Sequence, residues 1–410
     1  MTANEAAAAI LADLAETAAA REALYKDLHR HPELSMEEHR TSGVIADELA
    51  RMGVEDIPIG VTGRVGVIRN GDGPVVAMRA DFDALPMDEE SGVDYASVNP
   101  GVAHSCGHDV HVTALLGAVE QLNEHRDAWS GTFLAIFQPG EEAGAGARDM
   151  VDAGIVDKLP KPDVALAQHV LGTVPGGAVG TRRGPVLTTA SSIEITVHGA
   201  GTHGSMPNLG VDPIVLGAAI VGRLQTIVSR EVAPTDTAVV TVGSFHGGTK
   251  SNIIPDSVTM LVNTRAYDTD VAERLHAAIE RIVRAECDAA RSPKAPEFRY
   301  YDQYPLTIND DAVTDRVRAA FDGYFGDDSV DMPAAPASED FSIIPDAFGT
   351  PYCYWGLGGF ADMESAPGNH SPKFAPDIQP TLDRGAQAIV VAACAWLAAD
   401  RPVKPAGRCR

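Results

Sequence analysis

Pro74-Val75-Val76-Ala77-Met78-Arg79-Ala80 runs without a break into Asp81-Phe82-Asp83. A short apolar run with few alternating polar residues is what a strand looks like when helices cover both faces of a parallel sheet. The same pattern recurs on either side. Residues 63–68 form a short apolar run interrupted only by Arg64, residues 132–137 lead into Gln138-Pro139-Gly140-Glu141-Glu142, and residues 163–167 lead into Gln168-His169. Residues 5–52 carry apolar positions at helical spacing, broken near His31-Pro32 where the proline interrupts the hydrogen-bond ladder. The expected class is therefore α/β, with a mostly parallel sheet covered by helices. Polar residues gather just past the strand ends, at the carboxyl edge where open α/β sheets bind ligands.

The pattern changes after Gly184. Ile193, Ile195 and Val197 alternate with Glu194, Thr196 and His198, the mark of a strand with one wet face. A helix over 211–230, strands over 237–244 and 257–265, a helix over 271–289 and a strand over 297–301 complete a β-α-β-β-α-β order, the ferredoxin-like split unit. Further polar clusters, Ser338-Glu339-Asp340-Phe341 and Asn369-His370-Ser371-Pro372, follow it. The expected organisation is a discontinuous domain, 1–185 and 303–410, with residues 186–302 inserted as a second α+β domain.

With 410 residues, the chain exceeds what one core usually supports. Its 57 acidic residues against 32 basic ones give a formal net charge of −25, which excludes a nucleic-acid or anionic-membrane partner in the absence of a segregated basic patch. Residues 1–16 are Ala-rich and acidic, without the basic start of a secretory signal. The apolar run 388–399 is too short for a bilayer and reads as a buried helix. Five scattered cysteines, Cys106, Cys287, Cys353, Cys394 and Cys409, do not suggest a disulfide framework. The expected location is the cytoplasm.

The densest chemical cluster is His104-Ser105-Cys106-Gly107-His108-Asp109-Val110-His111. Residues two apart in an extended segment point the same way, so Cys106 and His108 can converge on one centre, and thiolate and imidazole are ligands that zinc prefers. A buried cysteine beside structural histidines is the competing reading. Glu141-Glu142 tilts the balance, because adjacent carboxylates at a strand end repel each other unless a cation or shared proton offsets the charge. Adjacent side chains also diverge, so one carboxylate can ligate while the other takes a proton from water, the division that metal-assisted hydrolysis needs. His169 and His370 bring the donors to five. That is too many for one tetrahedral zinc but suits two ions sharing a bridge.

At this point the chain resembles the M20 metallopeptidase and amidohydrolase family, in the branch of N-acyl-amino-acid amidohydrolases with hippurate hydrolases, aminoacylase-like enzymes and auxin-conjugate hydrolases. The matching stretches run in order: His29-Arg30-His31-Pro32-Glu33-Leu34-Ser35, Arg79-Ala80-Asp81-Phe82-Asp83-Ala84-Leu85-Pro86, Ser105-Cys106-Gly107-His108-Asp109, Phe137-Gln138-Pro139-Gly140-Glu141-Glu142, His169-Val170, Gly201-Thr202-His203-Gly204-Ser205-Met206-Pro207, Ser251-Asn252-Ile253-Ile254-Pro255-Asp256, Ser338-Glu339-Asp340-Phe341 and His370-Ser371-Pro372-Lys373-Phe374. Gly140 and Gln168 depart from the usual pattern without removing a functional side chain.

The resemblance implies that Cys106, His108, Glu142, His169 and His370 hold two divalent ions, zinc first, with manganese, cobalt or nickel as alternatives, and Cys106 as the bridge. It implies Glu141 as general base, His203 as the group stabilising the oxyanion, Asn252 as a substrate-binding amide, and the inserted domain as a lid that also mediates homodimerisation. Arg265 is a candidate for the substrate carboxylate, since a guanidinium fork pairs with it bidentately, against the alternative of a solvated strand arginine. Asp83 either orients a ligand histidine or forms the turn before Ala84-Leu85-Pro86. Asp109 and His111 are candidates for similar support.

The expected activity is hydrolysis of the amide of an N-acyl or N-aroyl amino acid by a metal-activated water, giving a carboxylic acid and a free amino acid. A dipeptidase or carboxypeptidase of the same superfamily is the alternative. A thiol hydrolase with Cys106 as nucleophile leaves Glu141, Glu142, His169 and His370 without a task.

Overall fold

The computed structural model describes residues 1–398, so Ala399 and Cys409, together with the rest of residues 399–410, lie outside the described part. The chain first lays down β1 (Glu55–Ile59), β2 (Gly63–Asn70), β3 (Val75–Asp81), β4 (Gly131–Gln138), β5 (Val164–Pro175) and β6 (Val179–Thr181). It then forms β7 (Thr189–His198), β8 (Ala238–His246), β9 (Ser257–Ala266) and β10 (Glu297–Tyr304), and ends its strands with β11 (Ser329–Asp331) and β12 (Tyr352–Phe360). Two compact units result. The larger comprises 1–186, 308–334 and 340–410, and the smaller 187–307 and 335–339. The segment 335–339 thus groups with the smaller unit, whereas the sequence reading placed it in the larger domain.

In the larger unit eight strands form one sheet in the order β1-β2-β4-β3-β5-β12-β6-β11. The central pairs β4·β3, β3·β5 and β5·β12 are parallel, and antiparallel pairs flank them. This is the mixed, mostly parallel α/β class expected from the apolar runs. Those runs are buried along nearly their whole length in β3 and β4 and over the first seven residues of β5. The helices Ala18–Arg30, His108–Glu124 and Ile378–Leu397 supply the apolar partners, with Trp129, Phe133 and Trp355 among the large side chains of the core. Each fully buried residue of that size contributes roughly 1.5–3 kcal/mol relative to exposure. The helix Ile378–Leu397 takes up most of the apolar run at 388–399. Among the described residues no helix is long and apolar enough to cross a membrane.

After β3 the chain crosses to β4 on one side, then to β5 on the other. Strand order therefore reverses around β3, which opens a crevice at the carboxyl ends of β3, β4 and β5. Sequence reading did not find β1, β6, β11 or β12. Three of these are short, and β12 is an apolar stretch with no periodicity to separate it from a buried helix.

The smaller unit has a four-stranded antiparallel sheet, β8-β9-β7-β10. Numbered by appearance the order is 2-3-1-4, the arrangement of a split β-α-β unit. Ile193, Ile195 and Val197 of β7 are fully buried against the helices Pro213–Thr226 and Thr269–Ala289. Both helices are capped: Asp212 accepts hydrogen bonds from the N–H groups of Ile214 and Val215, and Asp268 from that of Val271.

Candidate metal centre

Five segments of the larger unit deliver donor atoms to the switch-point crevice. Cys106 sits in the turn before the helix His108–Glu124, and His108 is that helix's first residue. The turn requires Gly107. Its φ is +83°, and a Cβ there would lie 2.4 Å from Val170 Cγ1. His169 comes from β5, and Glu141-Glu142 from the loop after β4. Gly146 closes that loop, since a Cβ at this position would meet the Pro139 carbonyl oxygen at 1.5 Å. His370 adopts a left-handed backbone, φ +67°, and its N–H donates to the Ser105 carbonyl at 2.7 Å.

Donor atoms of Cys106, His108 and His169 lie within 4.8 Å of one another, as do those of Cys106, Glu142 and His370, and those of His108, Glu141 and Glu142. Ligands about 2.0–2.3 Å from a common ion must lie within such a span. His108 Nε2 is buried without a hydrogen-bond partner and stands 3.8 Å from Glu142 Oε1. His169 Nδ1 donates to the Val170 carbonyl at 2.8 Å, which leaves Nε2 with its lone pair 3.5 Å from Cys106 Sγ. His370 Nε2 lies 3.2 Å from Glu142 Oε1. A thiol, three imidazoles and a carboxylate, with a shared Cys106 and a buried imidazole nitrogen left over, fit a pair of divalent ions of borderline softness.

The electrostatics also favour a cation. Burial pushes the Cys106 thiol well up, and Glu142, Glu141 and Asp81 add to the effect. Burial, seconded by His111, holds His169 well below the ordinary histidine range, which favours the neutral imidazole that a metal would need. For His108 burial works against the charge, but Asp81, Asp83 and Glu142 outweigh it and lift the pKa to about 10. Bound cations would invert this balance, deprotonating the thiol and displacing the imidazole proton.

A second layer of side chains holds the donors. Asp83 Oδ1 faces His108 Nδ1 at 3.2 Å, while Oδ2 accepts from the Glu142 N–H at 2.9 Å and from Ser35 Oγ at 2.7 Å. His111 is no donor to the centre: its Nε2 accepts the Val170 N–H at 2.9 Å, so Nδ1 carries the proton given to Asp81 at 2.5 Å. Asp81 is held in turn by the buried Arg79 at 2.6 Å. Asp340 braces the glutamate loop at both ends, accepting from Gln138 Nε2 at 2.6 Å and from the Ala147 N–H at 3.1 Å. Asp109 turns away to pair with His29 at 2.6 Å, and His29 also meets Glu89 at 3.0 Å. Burial opposes the charge on His29, yet Asp109 and Glu89 raise it to about 10.

The remaining candidates belong to the smaller unit. His203 and Asn252 share one end of a short ribbon in which Thr202–His203 pairs with Ile253–Ile254, and the Gly204 N–H donates to the Asn252 carbonyl at 2.8 Å. Both side chains are exposed. His203 Nδ1 accepts the Ser205 N–H at 3.2 Å and meets Ser205 Oγ at 2.7 Å, which leaves Nε2–H as an outward donor. Arg265 donates to Ser338 Oγ at 2.7 Å and Asn263 Oδ1 at 3.1 Å, two neutral partners.

Sequence reasoning missed the roles of Arg79, Asp81, Gln138, Asp340 and Glu89. Four of them stand inside the quoted motifs, but a contact between side chains 202 residues apart, as between Gln138 and Asp340, has no spacing to read.

Comparison with known proteins gives a consistent family. The model for peptidase family M20/M25/M40 matches residues 77–394. An N-acetyl-L-cysteine deacetylase of Bacillus subtilis (strain 168) is 35% identical over 361 residues, covering 86% of this chain and 82% of that one. A thermostable carboxypeptidase 2 of Saccharolobus solfataricus is 36% identical over 359 residues, covering 86% of this chain and 89% of that one. The crystal structure of the Bacillus subtilis YXEP protein, described as a dinuclear metal-binding peptidase from the M20 family, superposes with a TM-score of 0.77 at 27% identity, covering 92% and 98% of the two chains.

Proposed function

The chain belongs to peptidase family M20/M25/M40, and from that membership we propose that it is a metal-dependent amidohydrolase that cleaves N-acyl or N-aroyl amino acids into a carboxylic acid and a free amino acid. The observation that carries this reading is the pair of three-donor groups that share Cys106, with Glu141 beside them. In this reading Cys106, His108, Glu142, His169 and His370 hold two divalent ions, zinc before manganese, cobalt or nickel. Ions so placed supply Lewis acidity toward the scissile carbonyl and toward water.

The chain's own residues do the rest. Glu141, buried and next to a ligand, takes a proton from the attacking water and returns it to the leaving amine. His203 donates Nε2–H to the developing oxyanion. Asn252 and Arg265 bind substrate, the guanidinium of Arg265 having no acid as a partner in its two hydrogen bonds. Asp83 orients His108 and fixes the backbone of Glu142.

The similarity to a deacetylase of an N-acetyl amino acid supports the acyl-amino-acid substrate class. The carboxypeptidase relative favours the second reading, peptide cleavage by the same centre. Turnover of hippurate and N-acetyl-methionine, compared with that of simple dipeptides on zinc- or manganese-loaded protein, decides between them. Faster acyl-amino-acid hydrolysis, lost on chelation, is expected. Faster dipeptide cleavage overturns the substrate assignment, and activity that survives thorough chelation overturns the metal.

We assign residues 1–185 and 303–410 to the catalytic domain and 186–302 to a lid that also pairs two copies of the chain. The pairing is supported by β8, which lies at a sheet edge, and by an apolar face on the helix Pro213–Thr226, where Val215, Ala218, Ala219 and Gly222 are exposed. The buried free thiols of Cys106, Cys287, Cys353 and Cys394 support a reducing, cytoplasmic setting.

A further inference from the structure

Two side chains divide the ligand set between them. Asp83 holds His108 and Glu142, as described above. The amide of Asn369 bonds backbone at or next to two of the other three donors, Cys106 and His169, and Asn369 directly precedes the third, His370. Its Nδ2 donates to the Cys106 carbonyl at 3.2 Å and to the Val170 carbonyl at 3.1 Å, and lies 3.9 Å from Cys106 Sγ. The Val170 oxygen is the same atom that accepts His169 Nδ1–H at 2.8 Å and so fixes the tautomer of that ligand. Asn369 is also covalently joined to His370, whose own N–H is tied to the Ser105 carbonyl at 2.7 Å.

We propose that Asn369 is the positioning residue that sets the spacing of Cys106, His169 and His370. The proposal rests on the metal reading given above but not on any substrate. Its chemistry follows from the amide. A primary amide carries two N–H donors at a fixed angle, so one nitrogen can satisfy two carbonyls from different segments, and it retains polarity toward a thiolate nearby. A carboxylate in its place would set acceptors against acceptors. An apolar side chain would leave the Cys106 carbonyl without this donor and remove the tie between the turn, β5 and the loop carrying His370. That loop has a particular need of a tie, because His370 is exposed and stands in a left-handed conformation that a non-glycine residue adopts at a cost. Outer partners of metal ligands typically account for about 10–100-fold in metal affinity.

The test is the affinity of the full chain for zinc, measured against a competing chromophoric chelator, for wild type, Asn369→Ala and Asn369→Ser. Asn369→Ala is expected to weaken binding of at least one ion by about 10–100-fold, with the unfolding midpoint of the metal-free protein near that of wild type. Asn369→Ser, which keeps one hydroxyl donor, is expected to recover part of the loss. Wild-type affinity in Asn369→Ala overturns the proposal, and so does a lowered metal-free midpoint with affinity intact, since that result marks a structural role. If Asn369→Ala does not fold, the same measurement on Asn369→Ser decides: weakened binding supports the clamp and unchanged binding overturns it. A wild-type chain that takes up none of zinc, manganese, cobalt or nickel overturns the metal centre and the clamp together, whereas slow hydrolysis of every acyl amino acid with metal bound touches only the substrate reading.

Discussion

The donor cluster of the larger unit and the His203–Asn252 ribbon of the smaller one are built on opposite plans. Around Cys106 and His108 the supporting carboxylates are tied by several hydrogen bonds, while His108 Nε2 is left without one. Asp83, Asp81, Arg79, His111, Gln138 and Asp340 form a buried web that holds His108 and the loop carrying Glu141 and Glu142. The ribbon is two residues a side, and its His203 and Ile253 are exposed, with the His203 ring bonded to the nearby Ser205. Geometry that must hold without a substrate is placed in the buried web, where displacement breaks several hydrogen bonds at once. Residues assigned to the substrate's developing charge stand where substitution disturbs little else.

Three substitutions press on this contrast. Glu141→Gln is expected to lower the rate on N-acyl amino acids by about a hundredfold or more while metal content and folding stay intact, as read by metal analysis and steady-state kinetics. Equal loss of metal would make Glu141 a ligand and erase the division between the two glutamates. His203→Ala is expected to cost about 10²-fold in kcat with an unfolding midpoint within a degree or two of wild type. A marked drop in the midpoint would show that the ribbon is structural after all. The smallest effect is expected of Val215→Asp, at the third position of the helix Pro213–Thr226, where an acid suits the helix dipole. On the pairing proposed above, wild type should sediment as a dimer and Val215→Asp as a monomer, with the circular dichroism unchanged. A dimer that persists removes that helix face from the pairing surface.

What could be read from the sequence follows from how each feature is encoded. Strands β3, β4 and β5 announce themselves as short apolar runs that end in polar clusters, the split unit announces itself through local periodicity, and the donors cluster in short motifs such as Cys106-Gly107-His108 and Glu141-Glu142. Strand β12 has no polar interruption and β6 and β11 have three residues each, so periodicity has nothing to work on. Asn369 and Asp340 were visible only as members of polar runs. Their effect comes from side-chain bonds to backbone groups distant in sequence, and a backbone carbonyl carries no residue identity to recognise. His111 shows the same limit from the other side. It stands three residues from a ligand on the same helix, yet its ring is taken by Asp81 and the Val170 N–H.

The bond from Asn369 to Cys106 spans 263 residues, with the whole of the smaller unit between its ends. At about 5–20 residues per second on the ribosome, the two halves of the centre are made roughly 13–50 s apart. Throughout that interval Cys106 and His108 exist without His370, and any ion they meet encounters an incomplete set of ligands. On the metal reading proposed above, the full set of donors exists only after His370 has been made, so binding of both ions would follow synthesis of the C-terminal part of the larger unit.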